Sequence, residues 1–181
     1  MISADYQQER VPKNREYLKW YLAGFADGEG CFSISIQRSK SAKFRWLFNP
    51  LFQVYQHKDN SNVLFIYKDV FKWGYVSTKG GNPSCYVYCV DKIQDLIDYV
   101  IPFFTSYPLL GEKYQNFLLF EQIVRSLSQG EHKTIEGFKY LTSLAFKMNH
   151  NGKYRKHSLE EIYASLDQSS ETIRQTPVLR R

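Results

Sequence analysis

At residues 27–30 two acids alternate with two glycines: Asp27, Gly28, Glu29, Gly30. Acids and glycines are common where helices stop, so a plain turn is one reading. The other is chemical. A carboxylate beside exposed carbonyl oxygens is a hard-oxygen site, and such a site suits Mg²⁺. Acids near a helix C-terminus also oppose the macrodipole, at a cost of about a few tenths of a kcal/mol, so a positive group nearby is expected to offset them. Just before them, Ala23 and Gly24 strip side-chain bulk from the helix. Small residues there let two helix backbones approach closely.

The elements that position this stretch are legible in the hydrophobic period. Leu18, Tyr21, Leu22 and Phe25 follow i, i+3, i+4, i+7, one face of a helix, with Asn14 as a candidate N-cap. From Cys31 the period changes to two. Phe32, Ile34 and Ile36 point one way; Ser33, Ser35 and Gln37 point the other. A polar turn leads to a second strand, with Phe48, Phe52 and Val54 opposite Asn49, Gln53 and Tyr55. Pro50 is expected to weaken that strand or to place a bulge.

A helix ending at Gly74 follows, then a hairpin with turn residues Gly80, Gly81, Asn82 and Pro83. Ile93, Leu96, Ile97, Val100 and Ile101 predict a third helix, stopped by Pro102. Further helices are expected from Glu112 to Leu127 and from Ile135 to Met148, and Ser158 opens a capping-box pattern for a short last one. The order is αββαββα with additional C-terminal helices. Hairpins with helices gathered on one side give an α+β fold with an antiparallel sheet.

If helices cover one face of the sheet, the other meets water or a ligand. That face carries Ser33, Ser35, Gln37, Asn49 and Gln53. Hydrogen-bonding side chains at every second position suit base edges in a groove, although most antiparallel sheets have a solvated face. The charge balance of +6 and the pI near 9.1 favour a polyanionic partner, nucleic acid ahead of an anionic membrane. Cys31, Cys85 and Cys89 are an odd number, which argues for a reducing compartment. The C-x3-C at Cys85 and Cys89 lacks a second pair at zinc-finger spacing. The polar N-terminus is not a signal peptide, and no apolar run is long enough to span a membrane.

The stretch "YLAGFADGEG" resembles the signature of the LAGLIDADG homing endonucleases. "FQVYQHKDN", "WGYV", "VIPFF", "LLGEKYQNF" and "MNHNGKYRK" resemble further segments of that family in the same order, over about residues 15 to 157. The single-motif, homodimeric branch encoded in organellar introns is the most similar. The resemblance implies a saddle-shaped antiparallel sheet. The expected organisation is a polar segment 1–13, an endonuclease domain 14–157, and a C-terminal helix and tail 158–181. It also implies site-specific double-strand cleavage of a long pseudo-palindromic DNA with short 3′ overhangs, in the service of intron mobility, inside a chloroplast or mitochondrion. An RNA maturase and a catalytically inactive DNA-binding relative are the alternatives.

Roles follow from the same resemblance. Glu29, between the glycines, is the expected metal ligand, with the Gly28 carbonyl as a second; Mg²⁺ is the expected ion, Mn²⁺ a substitute, and Ca²⁺ an ion that binds without cleavage. Gln56 positions the attacking water, and Lys113 is the basic residue near the scissile phosphate. Where a further basic residue is expected the chain has Asn60, with Lys58 nearby in another register. Ala23, Gly24 and Asp27 fall at the dimer contact, Asp27 also capping or orienting the helix end. Ser33, Ser35, Gln37, Ser39, Asn49, Gln53, Ser77 and Lys79 are the expected base readers. Arg38, Lys40, Lys43 and Arg45 form one phosphate-binding cluster, and Lys153, Arg155 and Lys156 another.

Overall fold

The computed structural model describes residues 15–151 and 155–166. The candidate cap Asn14, the segment 1–13, Lys153 and the tail from residue 167 lie outside the described residues. In chain order the elements are α1 (Arg15–Glu29), β1 (Gly30–Arg38), β2 (Trp46–His57), α2 (Asn62–Phe71), β3 (Tyr75–Lys79) and β4 (Asn82–Val90). A composite helix α3 follows, with segments Ile93–Asp95, Leu96–Val100 and Ile101–Ser106. Then come α4 (Lys113–Gln129), α5 (Ile135–Asn151) and α6 (residues 159–166). The αββαββα order is as the periodicity predicts.

The four strands form one sheet in the order β1-β2-β4-β3. β4 returns from a tight Gly80-Gly81 turn, where Gly81 takes a left-handed φ of 80°, and slots between β3 and β2. It pairs antiparallel with β2 from Phe52↔Val90 to His57↔Cys85, and with β3 from Tyr75↔Cys89 to Thr78↔Tyr86. Asn82 and Pro83, expected in the turn, belong to β4.

Among the described residues, 15–32 and 51–117 form one compact unit, and 33–50, 118–151 and 155–166 form a second. The core of the first is aromatic. Phe32 stacks on Phe52 at 5.0 Å between ring centroids, Phe104 meets Phe52 edge-on at 5.2 Å, and Tyr67 stacks on Tyr88 at 5.6 Å. Each such pair adds about 0.5–1.5 kcal/mol beyond the area it buries. The buried hydroxyl of Tyr67 donates to the Leu22 carbonyl and so ties α2 to α1. The second unit packs Phe48 on Phe138 at 4.6 Å and seats Ile162 and Leu166 of α6 in its core. The Trp46 indole N–H donates to Ser165 Oγ at 2.7 Å.

Several local expectations are corrected. Pro102 does not stop α3. The turn before it is π-helical, with the Ile101 N–H donating to the Leu96 carbonyl, and the α-helix resumes with Pro102 in its first turn. A proline is tolerated there because its missing N–H has no partner to lose. α2 ends at Phe71 and not at Gly74; Lys72 takes the left-handed cap at φ 63°. Gly74 has its own reason to be glycine, since a Cβ would come 2.5 Å from the Cys89 carbonyl oxygen. β2 runs unbroken through Pro50, which is buried on the inner side between Phe48 and Phe52. Ser158 caps α6 by accepting from the Glu161 N–H at 3.1 Å. The Glu161 carboxylate goes elsewhere, to Arg38 and His157, rather than closing a capping box.

Candidate active site and nucleic-acid interface

α1 passes into β1 with no loop between them. A Cβ on Gly30 would meet the Ala26 carbonyl oxygen at 2.5 Å, so only glycine lets the chain turn so sharply off the helix. The last turn therefore presents its carbonyls, and Lys113 fills them. Its ammonium donates to Ala26 O and to Gly28 O, each at 3.0 Å. This is the positive group that the acids at the helix end call for. Burial pushes the Lys113 pKa down from its ordinary value, while Asp27, Cys31 and Glu29 pull it back up.

Asp27 holds the segment that delivers Lys113. Its Oδ2 accepts from the backbone N–H groups of Leu110 at 3.0 Å and Gly111 at 2.8 Å. A Cβ on Gly111 would come 2.9 Å from Asp27 Oδ1, so the loop can approach only as glycine. Asp27 Oδ1 is buried without a hydrogen-bond partner among the described residues. Glu29 is exposed and makes no side-chain hydrogen bond or ion pair among the described residues. The donors are thus an uncommitted carboxylate, the Gly28 carbonyl and an orphaned carboxylate oxygen. All are hard oxygens of the kind Mg²⁺ takes. Among the described residues no three His, Cys, Asp or Glu side chains converge to hold an ion alone.

Gln56 lies near the end of β2. β1 and β2 are neighbours joined by a short connection, so the end of β2 and the start of β1 share one end of the sheet. Its Oε1 accepts from the His57 N–H at 2.7 Å, which fixes the amide and, among the described residues, leaves its N–H donors uncommitted.

Ala23 does not stand at a contact surface: at 2% exposure it packs into its own chain, because the helix turns that face inward with Leu22 and Ala26. Asp27 likewise is committed to its own chain, at Leu110 and Gly111. The open face carries Tyr17, Tyr21, Gly24 and Gly28, at i, i+4, i+7 and i+11. A Cβ on Gly24 or Gly28 would meet nothing within 4 Å. Among the described residues nothing requires either to be glycine by contact. Tyr17 is 67% exposed, and Trp20 and Tyr21 about half exposed beside them.

In the second unit the expected readers Ser33, Ser35 and Asn49 are half-buried at alternate outward positions. Gln37 is exposed and donates to Ser35 Oγ at 3.4 Å; Ser39 shares a hydrogen bond with Ser41. Lys40, Lys43 and Arg45 are exposed around the β1–β2 turn. Arg45 donates to the Lys40 carbonyl at 2.8 Å, and Lys43 to the Lys133 carbonyl at 2.9 Å. Arg38 lies over the Trp46 ring and pairs with Glu161 at 3.0 Å. In the first unit Gln53 and Ser77 are half-buried and Lys79 is exposed.

Arg155 is a correction. Its guanidinium donates to the Ile34 carbonyl at 2.7 Å and to the Ala145 carbonyl, and lies over the Phe146 ring. It clasps β1 to α5, and burial lowers its pKa. Lys156, next to it, is exposed.

One group escaped sequence reasoning. Residues paired across neighbouring strands share a face, so the register adds His57, Cys85, Val87, Cys89 and Tyr75 to the face of Gln53 and Tyr55. The C-x3-C spacing carried the signal: in a strand, residues four apart point the same way.

Residues 22–124 match the family described as LAGLIDADG endonuclease. Probable intron-encoded endonuclease 3 of Neurospora crassa is 32% identical over 130 residues, covering 72% of this chain and 24% of that protein. DNA endonuclease I-CeuI of Chlamydomonas moewusii is 31% identical over 121 residues, covering 65% of this chain and 56% of that one. The chain thus spans about a quarter to about half of the length of these two relatives. Among solved structures, the archaeal intron-encoded homing endonuclease I-Vdi141I, complexed with DNA, superposes with a TM-score of 0.81 at 30% identity, covering 87% of this chain and 99% of that one.

Proposed function

The chain belongs to the LAGLIDADG endonuclease family, and we propose that it is a site-specific, metal-dependent DNA endonuclease acting as a homodimer. The observation that carries this is the end of α1, where Lys113 seals the Ala26 and Gly28 carbonyls beside an uncommitted Glu29.

The residues divide the work of phosphodiester hydrolysis. Glu29 and the Gly28 carbonyl would hold the ion, taken to be Mg²⁺, with Mn²⁺ as a substitute, once Lys113, which donates to that carbonyl, turns from it to the phosphate. When bound, the ion stabilises the attacking and leaving oxygens and lowers the pKa of its water. Lys113 sets a positive charge against the scissile phosphate. Gln56 orients the attacking water through the N–H donors that its bond to His57 leaves uncommitted. Asp27 holds Lys113 in place by fixing Leu110 and Gly111.

A second copy supplies what one chain lacks. The bare backbone at Gly24 and Gly28, flanked by exposed aromatics, is the surface on which two α1 helices would meet. That contact brings two half-sites together and allows both strands of a pseudo-palindrome to be cut, leaving short 3′ overhangs. The outward faces of the strands would read the DNA, as the complex of I-Vdi141I with DNA suggests by analogy. Intron mobility in a chloroplast or mitochondrion is the biological setting this reading favours.

The test is cleavage of a randomised-site duplex library in Mg²⁺, followed by sequencing of the cut ends. A defined pseudo-palindromic site is expected. Binding without cutting, by wild-type protein in Mg²⁺ or Mn²⁺, would leave a DNA-binding relative in place of an enzyme.

A further inference from the structure

Within the first unit, three polar groups on the outward face of the sheet form a relay. The Tyr55 hydroxyl donates to Gln53 Oε1 at 2.8 Å, and Gln53 Nε2 donates to Cys89 Sγ at 3.4 Å. Tyr55 and Gln53 are two apart on β2 and so share a face, and Cys89 is the direct partner of Gln53 on β4. Cys89 is buried; Tyr55 and Gln53 are half-exposed. The relay thus starts at the surface and ends in the protein. The Lys79 ammonium lies 4.9 Å from the Tyr55 ring centroid and holds the ring from above.

The relay fixes a polarity. A tyrosine hydroxyl has one proton and acceptor lone pairs. Here the proton goes to Gln53, and what remains for an outside partner is acceptor capacity only. Burial pushes the Tyr55 phenol above its ordinary value, so the hydroxyl keeps that proton. The bond from a hydroxyl to an amide carbonyl is strong, whereas a thiol is weak as donor and as acceptor. Tyr55 therefore sets the orientation of the Gln53 amide, and Cys89 accommodates it.

We propose that Tyr55 is a specificity-determining residue of the DNA-reading face, and that its hydroxyl, its proton committed to Gln53, selects an exocyclic amino group in the major groove. This rests on the reading that the outward face meets DNA. In the major groove adenine and cytosine present amino donors at N6 and N4, while guanine and thymine present keto acceptors at O6 and O4. An acceptor-only hydroxyl meets the first pair with a hydrogen bond and the second with lone pairs against lone pairs. The contacted position therefore reads as adenine or cytosine over guanine or thymine on one strand. To accept a keto base, Tyr55 must give up its bond to Gln53.

The experiment profiles binding of the wild-type protein, Tyr55→Phe and Gln53→Met against a randomised-site duplex library, by sequencing the bound fraction. In the wild type, one position of each half-site should prefer adenine and cytosine, on the order of fivefold, as suits one neutral hydrogen bond. Tyr55→Phe should flatten that position, loosen any preference read by the Gln53 amide that the hydroxyl orients, and leave the remaining positions within about twofold. Gln53→Met frees the hydroxyl to donate, so guanine and thymine should become acceptable at the same position. If Tyr55→Phe leaves the wild-type profile unchanged, or if the position that changes prefers keto bases, the inference falls while the DNA reading stands. A wild-type protein that enriches no sequence overturns the DNA reading, and this inference with it.

Discussion

Glu29, Lys113 and Arg155 are three charged residues in three different situations, and substitutions should separate them. Glu29 is exposed and uncommitted, so Glu29→Gln should leave folding and DNA binding intact. Cleavage in Mg²⁺ should fall by at least about 10²-fold, measured on a duplex carrying the selected site. Lys113 is partly desolvated, and its pKa lies below the ordinary 10.5. Between the lowered value and 10.5 the unfolded chain holds more protons than the folded one. This group's contribution to stability therefore rises with pH through that window. The charge it offers a phosphate falls over the same window. The pH–rate profile should show an alkaline limb that Lys113→Arg moves upward, while the melting temperature shows no matching loss from this group. Arg155 was expected to bind phosphate and instead serves the fold. Arg155→Ala strips the Ile34 and Ala145 carbonyls of their donor and should cost about 1–3 kcal/mol in chemical denaturation. Lys156→Ala should leave stability unchanged and reduce the salt slope of DNA affinity by about 0.9. Nothing in the residue types told these neighbours apart. The distinction comes from carbonyls on β1 and α5 that only the fold places beside Arg155.

The elements were largely legible because each keeps a clear period. α1 and β1 change from a helical repeat to alternation at Gly30, and the chain turns there. What escaped was whatever depends on a distant partner. Pro102 reads as a helix stop unless the π turn before it is known. β4 shows little alternation because Val87, Tyr88, Cys89 and Val90 are all buried, and that follows from its place between β2 and β3. The acid pair at the end of α1 was visible, as was its need for a cation. Lys113 was assigned to it through a family likeness, since spacing alone cannot join residues so far apart in sequence. Two glycines of α1 and its exit should respond in opposite ways. Gly24→Val places its side chain in open space, so the protomer should fold, with unchanged helical circular dichroism, while sedimentation reports loss of the dimer. Gly30→Ala drives a Cβ against the Ala26 carbonyl and should lower stability whatever the state of association.

The basic balance of the whole chain tilts its reading toward a polyanion, but it overstates the charge on offer. Arg38 is paired with Glu161, and Arg155 is turned inward. Among the described residues, Lys40, Lys43, Arg45, Lys79 and Lys156 are the exposed cations left at the proposed interface. The salt dependence of binding should therefore follow these residues and not the formal charge. Each phosphate contact contributes about 0.9 to the slope of log affinity against log salt. A titration with alanine at all five positions should lose most of the slope.

β4 carries one more consequence. Like β2 it has a neighbour on each edge, and side chains cover both of its faces from Val87 to Val90. An amide there can meet solvent deuterium only when β2, β3 and the aromatic cluster let go together. Hydrogen exchange should be slowest at these four residues and should proceed there through global opening. β3, an edge strand with an exposed side, should exchange earlier through local fraying. Tyr55 and Tyr75 roof this stretch from the neighbouring strands, so the surface proposed to read bases is also part of the unit that opens last. Substitutions made there to change the target should then alter the slowest exchange rates in the protein, and those made around the β1–β2 turn should not.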